Sequence, residues 1–333
     1  MSRRGSEARG RSGRRGLRAR PPTRFLSSAV PVTEVVFPLT PRRRLIGLSF
    51  GGMRSARRGA GSDVAGSRPY RPGDDIDTID WAASARLSAA RASDEFIVRE
   101  RFAEEAPRVV IVCDRRPEMQ LYPPWLPWLS KPDAARIAAL MIADSTIAAR
   151  GYSGYLDFAE GIDEPYWRPP RSQHDDWRIE PTRPFRAPQD TVSRSFRHLF
   201  ELRPSLLPGT FVFVISDFVV EPDDELWLRA VERRWDVVPV VLQDPTWERS
   251  FPDVSGTMLP VAEPQTGKTT FLRLTRREAI ERRRANEERW RRLERTFAML
   301  DLDPVHVSTS NPMEILEAFT LWAEQRMYWR GRW

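Results

Sequence analysis

The chain has few residues of the kinds that form disulfide frameworks, zinc sites or membrane spans. Of its 333 residues one is a cysteine, Cys113, and the three histidines, His174, His198 and His306, are widely separated. One cysteine excludes an intrachain disulfide, and the histidine spacing fits no zinc motif. No apolar run reaches the roughly 20 residues that cross a bilayer, and no apolar stretch of a signal peptide opens the sequence. We therefore expect a cytoplasmic protein without a membrane span.

Positive charge is concentrated at the start of the chain. Residues 1–28 hold nine arginines and one acid, Glu7, a balance of +8, so the remaining residues sum to −1 against the net charge of +7. The arginines are Arg3, Arg4, Arg9, Arg11, Arg14, Arg15, Arg18, Arg20 and Arg24. We predict a disordered basic arm over 1–28, solvated or in contact with an anionic surface. The near-neutral remainder argues against a body that binds specific nucleic acid.

The remaining sequence divides into two regions by its hydrophobic pattern. Over 106–330, short apolar strands alternate with helices, which indicates a mostly parallel sheet covered on both faces, that is, a doubly wound α/β domain. The pattern predicts strands at 109–113, 152–159, 210–218, 236–244 and 303–309, a hairpin at 256–274, and helices at 133–150, 191–202, 223–234, 276–300 and 312–327. Asp133 and Gly151 are expected to begin and end the first of these helices. Residues 160–187 are rich in Pro and Trp and predict an irregular excursion with at most one strand.

The region 29–105 is predicted to be a small β-rich accessory region. Its strands are expected at 32–39, 44–50 and 95–102, and the glycine-rich stretch 51–67 favours a loop. A short helix at 81–86 follows Asp80, whose side chain is suited to cap it. We expect Trp81 to anchor this segment to the body together with Ile76 and Ile79.

One stretch, RPYRPGDDIDTIDWAASAR (68–86), is specific enough to indicate a family. It closely resembles the signature of the bacterial domain-of-unknown-function family 58, Arg-x-Tyr-x-Pro-Gly-Asp-Asp followed by Ile-Asp-Trp and Ala-Arg. The matching residues are Arg68, Tyr70, Pro72, Gly73, Asp74, Asp75, Ile79, Asp80, Trp81, Ala85 and Arg86. Strands ending in Asp114 and in Ser216-Asp217 and a later hairpin follow in the family's order, so the resemblance covers about residues 40–327.

The resemblance implies a fold, a binding face and a partner. Family members resemble the von Willebrand factor A domain, a Rossmann-like doubly wound sheet that binds ligands at the carboxyl ends of its strands. They commonly occur with MoxR-type AAA+ ATPases, which are thought to assist assembly or maturation of other proteins. Many members carry N-terminal transmembrane helices, in whose place this chain has the basic arm.

A-type domains often bind a divalent cation through an Asp-x-Ser-x-Ser turn after the first strand, a Thr and a second Asp. In this chain the turn reads Asp114, Arg116 and Glu118, Asp217 is the second Asp, and Thr191 or Ser193 is the candidate hydroxyl. A guanidinium has only donors and cannot ligate a cation. We predict that Arg116 or Arg115 pairs with Asp114 and Asp217 and that no metal cofactor binds. A remodelled Mg²⁺ site of Asp114, Glu118 and Asp217, or plain strand-end aspartates, are the alternatives.

The aspartates of the signature have a structural and a functional interpretation. Pro72-Gly73 forms a turn and Asp80 caps a helix, which is the structural interpretation. Functionally, Asp74, Asp75 and Asp77 could form an acidic contact surface. The two interpretations are compatible, because a stiff loop is a good docking element.

The sequence suggests three candidate functions. The leading one is a non-enzymatic protein-interaction adaptor that works with a MoxR-type AAA+ ATPase and a client protein through Asp114, Arg116, Glu118, Asp217, Asp74, Asp75, Asp80 and Trp81. The alternative is a Mg²⁺-dependent adhesion-type module that binds a partner's carboxylate. A hydrolase built on Asp74, Asp75 and Asp80 lacks a nucleophile–base pair. GKTT (267–270) lacks the spacing of a phosphate-binding loop.

Overall fold

The computed structural model describes residues 35–41, 64–70, 79–91, 96–101, 106–120, 128–171, 183–263, 266 and 268–330. The arm at 1–28, the predicted strand at 44–50, Asp74, Asp75 and Ile76 lie outside the described residues.

The described residues form ten strands and six helices. The strands are β1 Val64–Pro69, β2 Ile97–Arg101, β3 Arg108–Cys113, β4 Tyr152–Asp157, β5 Tyr166–Arg171, β6 Phe211–Ser216, β7 Asp236–Leu242, β8 Met258–Ala262, β9 Thr269–Arg273 and β10 Val305–Val307. Helices are α1 Trp81–Arg91, α2 Lys131–Ala148, α3 Thr191–Glu201, α4 Asp224–Glu232, α5 Arg276–Met299 and α6 Pro312–Arg330.

Six strands form the central sheet in the order β10-β7-β6-β3-β4-β5. All neighbours run parallel except β5, which is antiparallel to β4 at the edge. The central strands are apolar on both sides because helices cover both faces of a parallel sheet. Val109 and Ile111 pack in the cluster that includes Ala138 of α2 and Phe319 of α6. Val110 faces the opposite cluster, with Phe196 of α3, Trp227 of α4 and Phe297 of α5. The predicted doubly wound α/β class is confirmed.

The order of the strands places a crevice at the carboxyl ends of β3 and β6. The chain leaves β3 for β4 on one side of it and returns to β6 on the other. At such a switch point the connections after the two strands diverge, and ligands of open α/β sheets bind there. Asp114 follows β3 directly, and Ser216 ends β6 just before Asp217.

In the accessory region, the structure corrects two predictions. Residues 64–67 belong to β1, antiparallel to β2, although their glycine and serine content predicted a loop. Residues 35–39 form no strand, yet Phe37 and Leu39 are buried in the core. Phe37 stacks on Phe319 with ring centroids 4.6 Å apart. Its apolar pattern therefore reflects packing against helices, which a sequence pattern alone does not distinguish from a strand.

Helix boundaries also differ from prediction. The side chain of Ser130 caps α2 by accepting from the backbone N–H of Asp133, so the helix begins at Lys131 and Asp133 is not the cap. Helix α1 runs to Arg91 instead of residue 86. The other predicted strands and helices of 106–330 are present to within a few residues, and 160–187 contains one described strand, β5. The proposed boundary near residue 106 stays a prediction. Among the described residues, no helix combines the length and the apolar character needed to cross a bilayer.

Candidate functional site

Asp114 and Asp217 meet at the switch point because β3 and β6 are parallel neighbours in register. Cys113 lies beside Ile215, and the backbone N–H of Asp114 continues the ladder by donating to the Ile215 carbonyl at 2.9 Å. The two carboxylates are 0% and 1% exposed, respectively. A charged pair of this kind requires neutralising partners in the interior.

Arg116 is the shared partner of both carboxylates. Its Nε donates to Asp114 Oδ2 at 2.9 Å, and its Nη2 donates to Asp114 Oδ2 at 2.7 Å and to Asp217 Oδ1 at 2.5 Å. The backbone N–H of Arg116 also donates to Asp114 Oδ1, at 2.9 Å. The predicted pairing of Arg116 with Asp114 and Asp217 is therefore present, in a side chain that is 1% exposed.

Lys131, in the first turn of α2, is a second cation of the network. Its Nζ donates to Asp217 Oδ2 at 2.8 Å and to Glu248 Oε1. The sequence analysis did not predict this residue. Its position is the signal that could have identified it: the helix dipole disfavours a positive charge at a helix N-terminus, so a lysine there requires a nearby anion.

Ser216 supplies the hydroxyl of the site. Its Oγ donates to Asp114 Oδ2 at 2.7 Å and accepts from the backbone N–H of Phe218 at 3.0 Å. Thr191 and Ser193, the hydroxyls named from the sequence, show no hydrogen bond to Asp114 or Asp217 among the described residues, and their role as ligands stays a prediction. Both sit at the start of α3, whereas Ser216 is brought beside Asp114 by the strand register.

The turn after β7 adds further hydrogen bonds to the network at the strand ends. Gln243 Nε2 donates to the backbone carbonyl of Asp217. Asp244 accepts from Trp128 Nε1 at 2.6 Å and from the backbone N–H groups of Thr246 and Trp247, each at 2.8 Å. Three strand ends, those of β3, β6 and β7, are thus joined by buried hydrogen bonds.

The charges of the network stabilise one another. Burial raises the pKa of Asp217, but the charges of Lys131 and Arg116 outweigh it, so the pKa lies well below its usual range. Burial lowers the pKa of Lys131, but Asp217 and Glu248 outweigh it and raise that pKa above its usual value. Each group is therefore held in its charged form at neutral pH.

Arg115, the other candidate for the pairing, turns away from Asp114 and Asp217. Its Nη2 donates to Tyr155 Oη at 3.0 Å, and its Nε lies 3.8 Å from Asp157 Oδ2. Its guanidinium stacks over Phe185, 4.8 Å from the ring centroid. Arg115 therefore supports β4, and of the two arginines Arg116 is the one that the described contacts join to the strand-end carboxylates.

The residues present do not fit a divalent cation. Asp114, Ser216 and Asp217 supply the oxygens that Mg²⁺ prefers, but the Arg116 guanidinium lies between the two carboxylates and presents N–H donors. Glu118, the third ligand of the remodelled site, instead accepts from Gln189 Nε2 at 2.6 Å. Within the described residues, no three His, Cys, Asp or Glu side chains are grouped as ion ligands.

The described part of the signature motif is a capped helix with an exposed aromatic residue. Asp80 Oδ1 accepts from the backbone N–H of Ala83 at 3.0 Å, which confirms the predicted cap. Trp81 is 59% exposed and meets Phe96 edge to face, with centroids 5.9 Å apart. As the first residue of α1, Trp81 packs on Phe96 at the surface, and its role in anchoring the segment to the body stays a prediction. Asp74, Asp75 and Asp77 lie outside the described residues.

Comparisons with known proteins place these features in a family. The model of the family described as protein of unknown function DUF58 matches residues 66–292, which include the described strand-end network. A solved structure, the conserved hypothetical protein BatB from Bacteroides thetaiotaomicron, is 15% identical, covers 67% of this chain and 99% of its own, and has a TM-score of 0.37. At that similarity it carries no argument about function. A search of curated proteins found no match. On the family match, which spans more than half of its length, this chain belongs to the DUF58 family of proteins of unknown function.

Proposed function

We propose that this protein is a non-enzymatic interaction adaptor whose strand-end face binds a MoxR-type AAA+ ATPase during assembly or maturation of a client protein. The observation that supports it is the network of ion pairs at the switch point. Arg116 and Lys131 occupy the carboxylates of Asp114, Asp217 and Glu248. The partner rests on the family resemblance, which is an argument by analogy.

The same network argues against acid–base catalysis at this site. A general acid or base works best with a pKa near the operating pH. The pKa of Asp217 is shifted downward and that of Lys131 upward, so both move away from neutrality. A screen with generic phosphatase and esterase substrates tests this part, and turnover that Asp217→Asn abolishes would show that the strand-end site is catalytic.

The buried residues serve as a frame, and the partner contacts the rim above them. Asp114, Arg116 and Asp217 are too buried to touch a partner in this structure. Val219, two residues after Asp217, is 39% exposed, and its backbone N–H donates to Asp217 Oδ1 at 3.0 Å. The frame thereby fixes the position of an exposed apolar side chain on the rim.

In this proposal Arg116 supplies the positive charge that a cation supplies in metal-dependent A-type domains. The guanidinium has a fixed planar geometry and makes paired hydrogen bonds with carboxylates. The site is therefore preorganised without a metal, and Mg²⁺ is not required for binding.

The test is a pull-down of a purified MoxR-type AAA+ ATPase on the immobilised protein. Val219→Asp places a charge on the rim and is expected to lower binding at least tenfold. Leu321→Asp makes the same kind of change on α6, where Leu321 is 53% exposed, and serves as the matched control. Equal binding by both variants would show that the strand-end face is not used, and no binding by the unaltered protein would remove the ATPase as partner.

A further inference from the structure

A cleft of about 310 Å³ opens beside the strand-end network. Its floor includes Lys131 and Asp217 of the network, and one wall is formed by Arg282, Asn286 and Arg289 of helix α5. A cleft at the carboxyl ends of parallel strands is the usual ligand position in open α/β sheets.

Most acids of the cleft already have partners. Asp217 accepts from Arg116 and Lys131, and Glu248 accepts from Lys131 and from the backbone N–H of Asp244. Asp244 accepts from Trp128 and from two backbone N–H groups. Arg116 and Lys131 thus pair with Asp217 and Glu248, whereas Asp244 accepts only from neutral donors among the described residues.

The two arginines of the wall, Arg282 and Arg289, have no salt bridge to a carboxylate among the described residues. Arg289 donates to Asn286 Oδ1 at 3.2 Å and to the backbone carbonyl of Glu248 at 2.6 Å, both neutral acceptors, and its buried Nε has no hydrogen-bond partner among the described residues. Arg282 is exposed and makes neither a hydrogen bond nor a salt bridge in the part of the chain described. Burial, and also the charge of Arg282, lowers the pKa of Arg289, while the charges of Glu248, Asp217 and Glu221 raise it. Both arginines are therefore cations that form no salt bridge with a carboxylate among the described residues.

Apolar side chains border these cations. Leu129, Val219 and Trp247 line the same cleft. Trp247 is held by its backbone, since its N–H donates to Asp244 and its carbonyl accepts from Asn286 Nδ2 at 3.1 Å. Arginines beside a fixed aromatic and apolar surface are the combination that dominates binding energy at protein interfaces.

We propose that this cleft binds an acidic side chain, Asp or Glu, of the partner polypeptide, with its carboxylate at Arg282 and Arg289 and a neighbouring apolar residue on Trp247 and Val219. The inference rests on the proposed function, because it specifies the partner chemistry at the same face. Arg–carboxylate hydrogen bonds are charge-assisted and about twice as strong as neutral ones. The two arginines lie seven residues apart, two helical turns along one face of α5.

Like Asp244, Glu118 lines the cleft without a cationic partner among the described residues, so both oppose an acidic ligand. Its Oε2 is buried and has no hydrogen-bond partner among the described residues. It comes from the 3₁₀ turn Pro117–Gln120, a different element from the arginines. Removing its charge should strengthen binding of an acidic segment, whereas it should weaken binding of a basic one.

The test uses two fluorescent peptides in anisotropy titrations with the full chain, an internal Leu-Glu-Leu-Glu segment with blocked ends and its Leu-Gln-Leu-Gln counterpart. We expect saturable binding of the glutamate peptide, at least tenfold tighter than the glutamine peptide. Arg282→Gln and Arg289→Gln should each weaken it about tenfold, and Glu118→Gln should tighten it. Arg282 is exposed and makes no hydrogen bond or salt bridge among the described residues, so its replacement is not expected to disturb the fold. Arg284→Gln removes the same charge from an exposed position on the other side of α5 and is expected to bind as the unaltered protein.

Equal affinity for the two peptides, an equal loss in Arg284→Gln, or no saturation at millimolar peptide would overturn the acidic-ligand proposal. Tighter binding of a peptide with a free carboxyl terminus and glutamine side chains would also overturn it, because the ligand would then be a chain end. Each of these results leaves the ATPase pull-down unaffected, so the failure of this inference is distinguishable from failure of the proposed function.

Discussion

Arg116 binds the carboxylate of Asp114, two residues before it, through two hydrogen bonds. Its Nε and its Nη2 donate to Asp114 Oδ2 at 2.9 and 2.7 Å, respectively. The same Nη2 reaches Asp217 on the neighbouring strand end. A single guanidinium therefore joins two strand ends and pairs with two buried acids. The consequences of that arrangement can be tested one residue at a time.

Arg116→Ser should destabilise the protein by about 3–5 kcal/mol, because removing one partner leaves buried carboxylates uncompensated. It also places a hydroxyl where an A-type metal site has one. We expect 5 mM Mn²⁺, a concentration on the millimolar scale of weak oxygen-ligand sites, to raise the Tm of Arg116→Ser in a thermal melt. The double variant with Asp114→Ala is the control. A Tm that Mn²⁺ leaves unchanged in Arg116→Ser would mean that the oxygens are not poised for a cation.

Lys131→Met should cost about 3–5 kcal/mol of unfolding free energy, since it leaves Asp217 and Glu248 short of a cation in the interior. Lys268→Met, at an exposed position, is the matched control and should change stability by less than about 0.5 kcal/mol. Urea denaturation followed by circular dichroism measures both. Similar values for the two variants would show that Lys131 does not stabilise the network.

Asp217 should make the protein sensitive to acid. Its pKa in the folded state is lowered, so its contribution to stability is present above the unfolded pKa of about 3.9 and is lost as the pH falls toward the folded value. Lys131 has a raised pKa, so its contribution persists below about 10.4 and is lost only as the pH rises through its folded value. Urea midpoints between pH 2 and 11 should therefore fall at both ends. Asp217→Asn should reduce the fall of the urea midpoint at low pH. A fall of unchanged size in this variant would argue against the pairing of Asp217 with Arg116 and Lys131.

His306 should cause a second loss of stability in acid, at a higher pH than the loss caused by Asp217. Burial, and then the charge of Arg249, lowers its pKa to about 4. The unfolded chain takes up a proton near pH 6.5 while the folded chain resists it, so stability should fall as the pH drops from about 6.5 to 4. Glu294, 3.5 Å from His306 Nε2, and Trp290, whose ring packs on it, are the other groups that face the imidazole. His306→Gln should remove the slope in that interval; a slope of the same size in the variant would assign it to other groups.

The sequence predicted the parallel sheet well because its strands are continuous apolar runs that only a doubly covered sheet accommodates. It also placed Asp114, Arg116 and Asp217 together, since the carboxyl ends of neighbouring parallel strands meet at one edge. Residues 35–39 were misassigned because burial against helices leaves the same apolar pattern as a strand.

The partners of the site were harder to predict because they depend on register and on helix starts. Ser216 lies beside Asp114 only through the alignment of β3 with β6. Lys131 enters the network because Ser130, and not Asp133, caps α2. Glu248 is brought to Lys131 by a loop that Arg289 and Asn286 hold through its backbone carbonyls. Such long-range pairings leave no local pattern in the sequence.

Whether Arg116 takes the place of a cation is tested most directly by titrating the unaltered protein with Mg²⁺ and with Mn²⁺ in a calorimeter, up to millimolar concentration. We predict heats of dilution only for both ions, because the guanidinium occupies the space between the carboxylates. A saturable isotherm that Asp114→Ala abolishes would contradict the account and would favour the metal-dependent adhesion module.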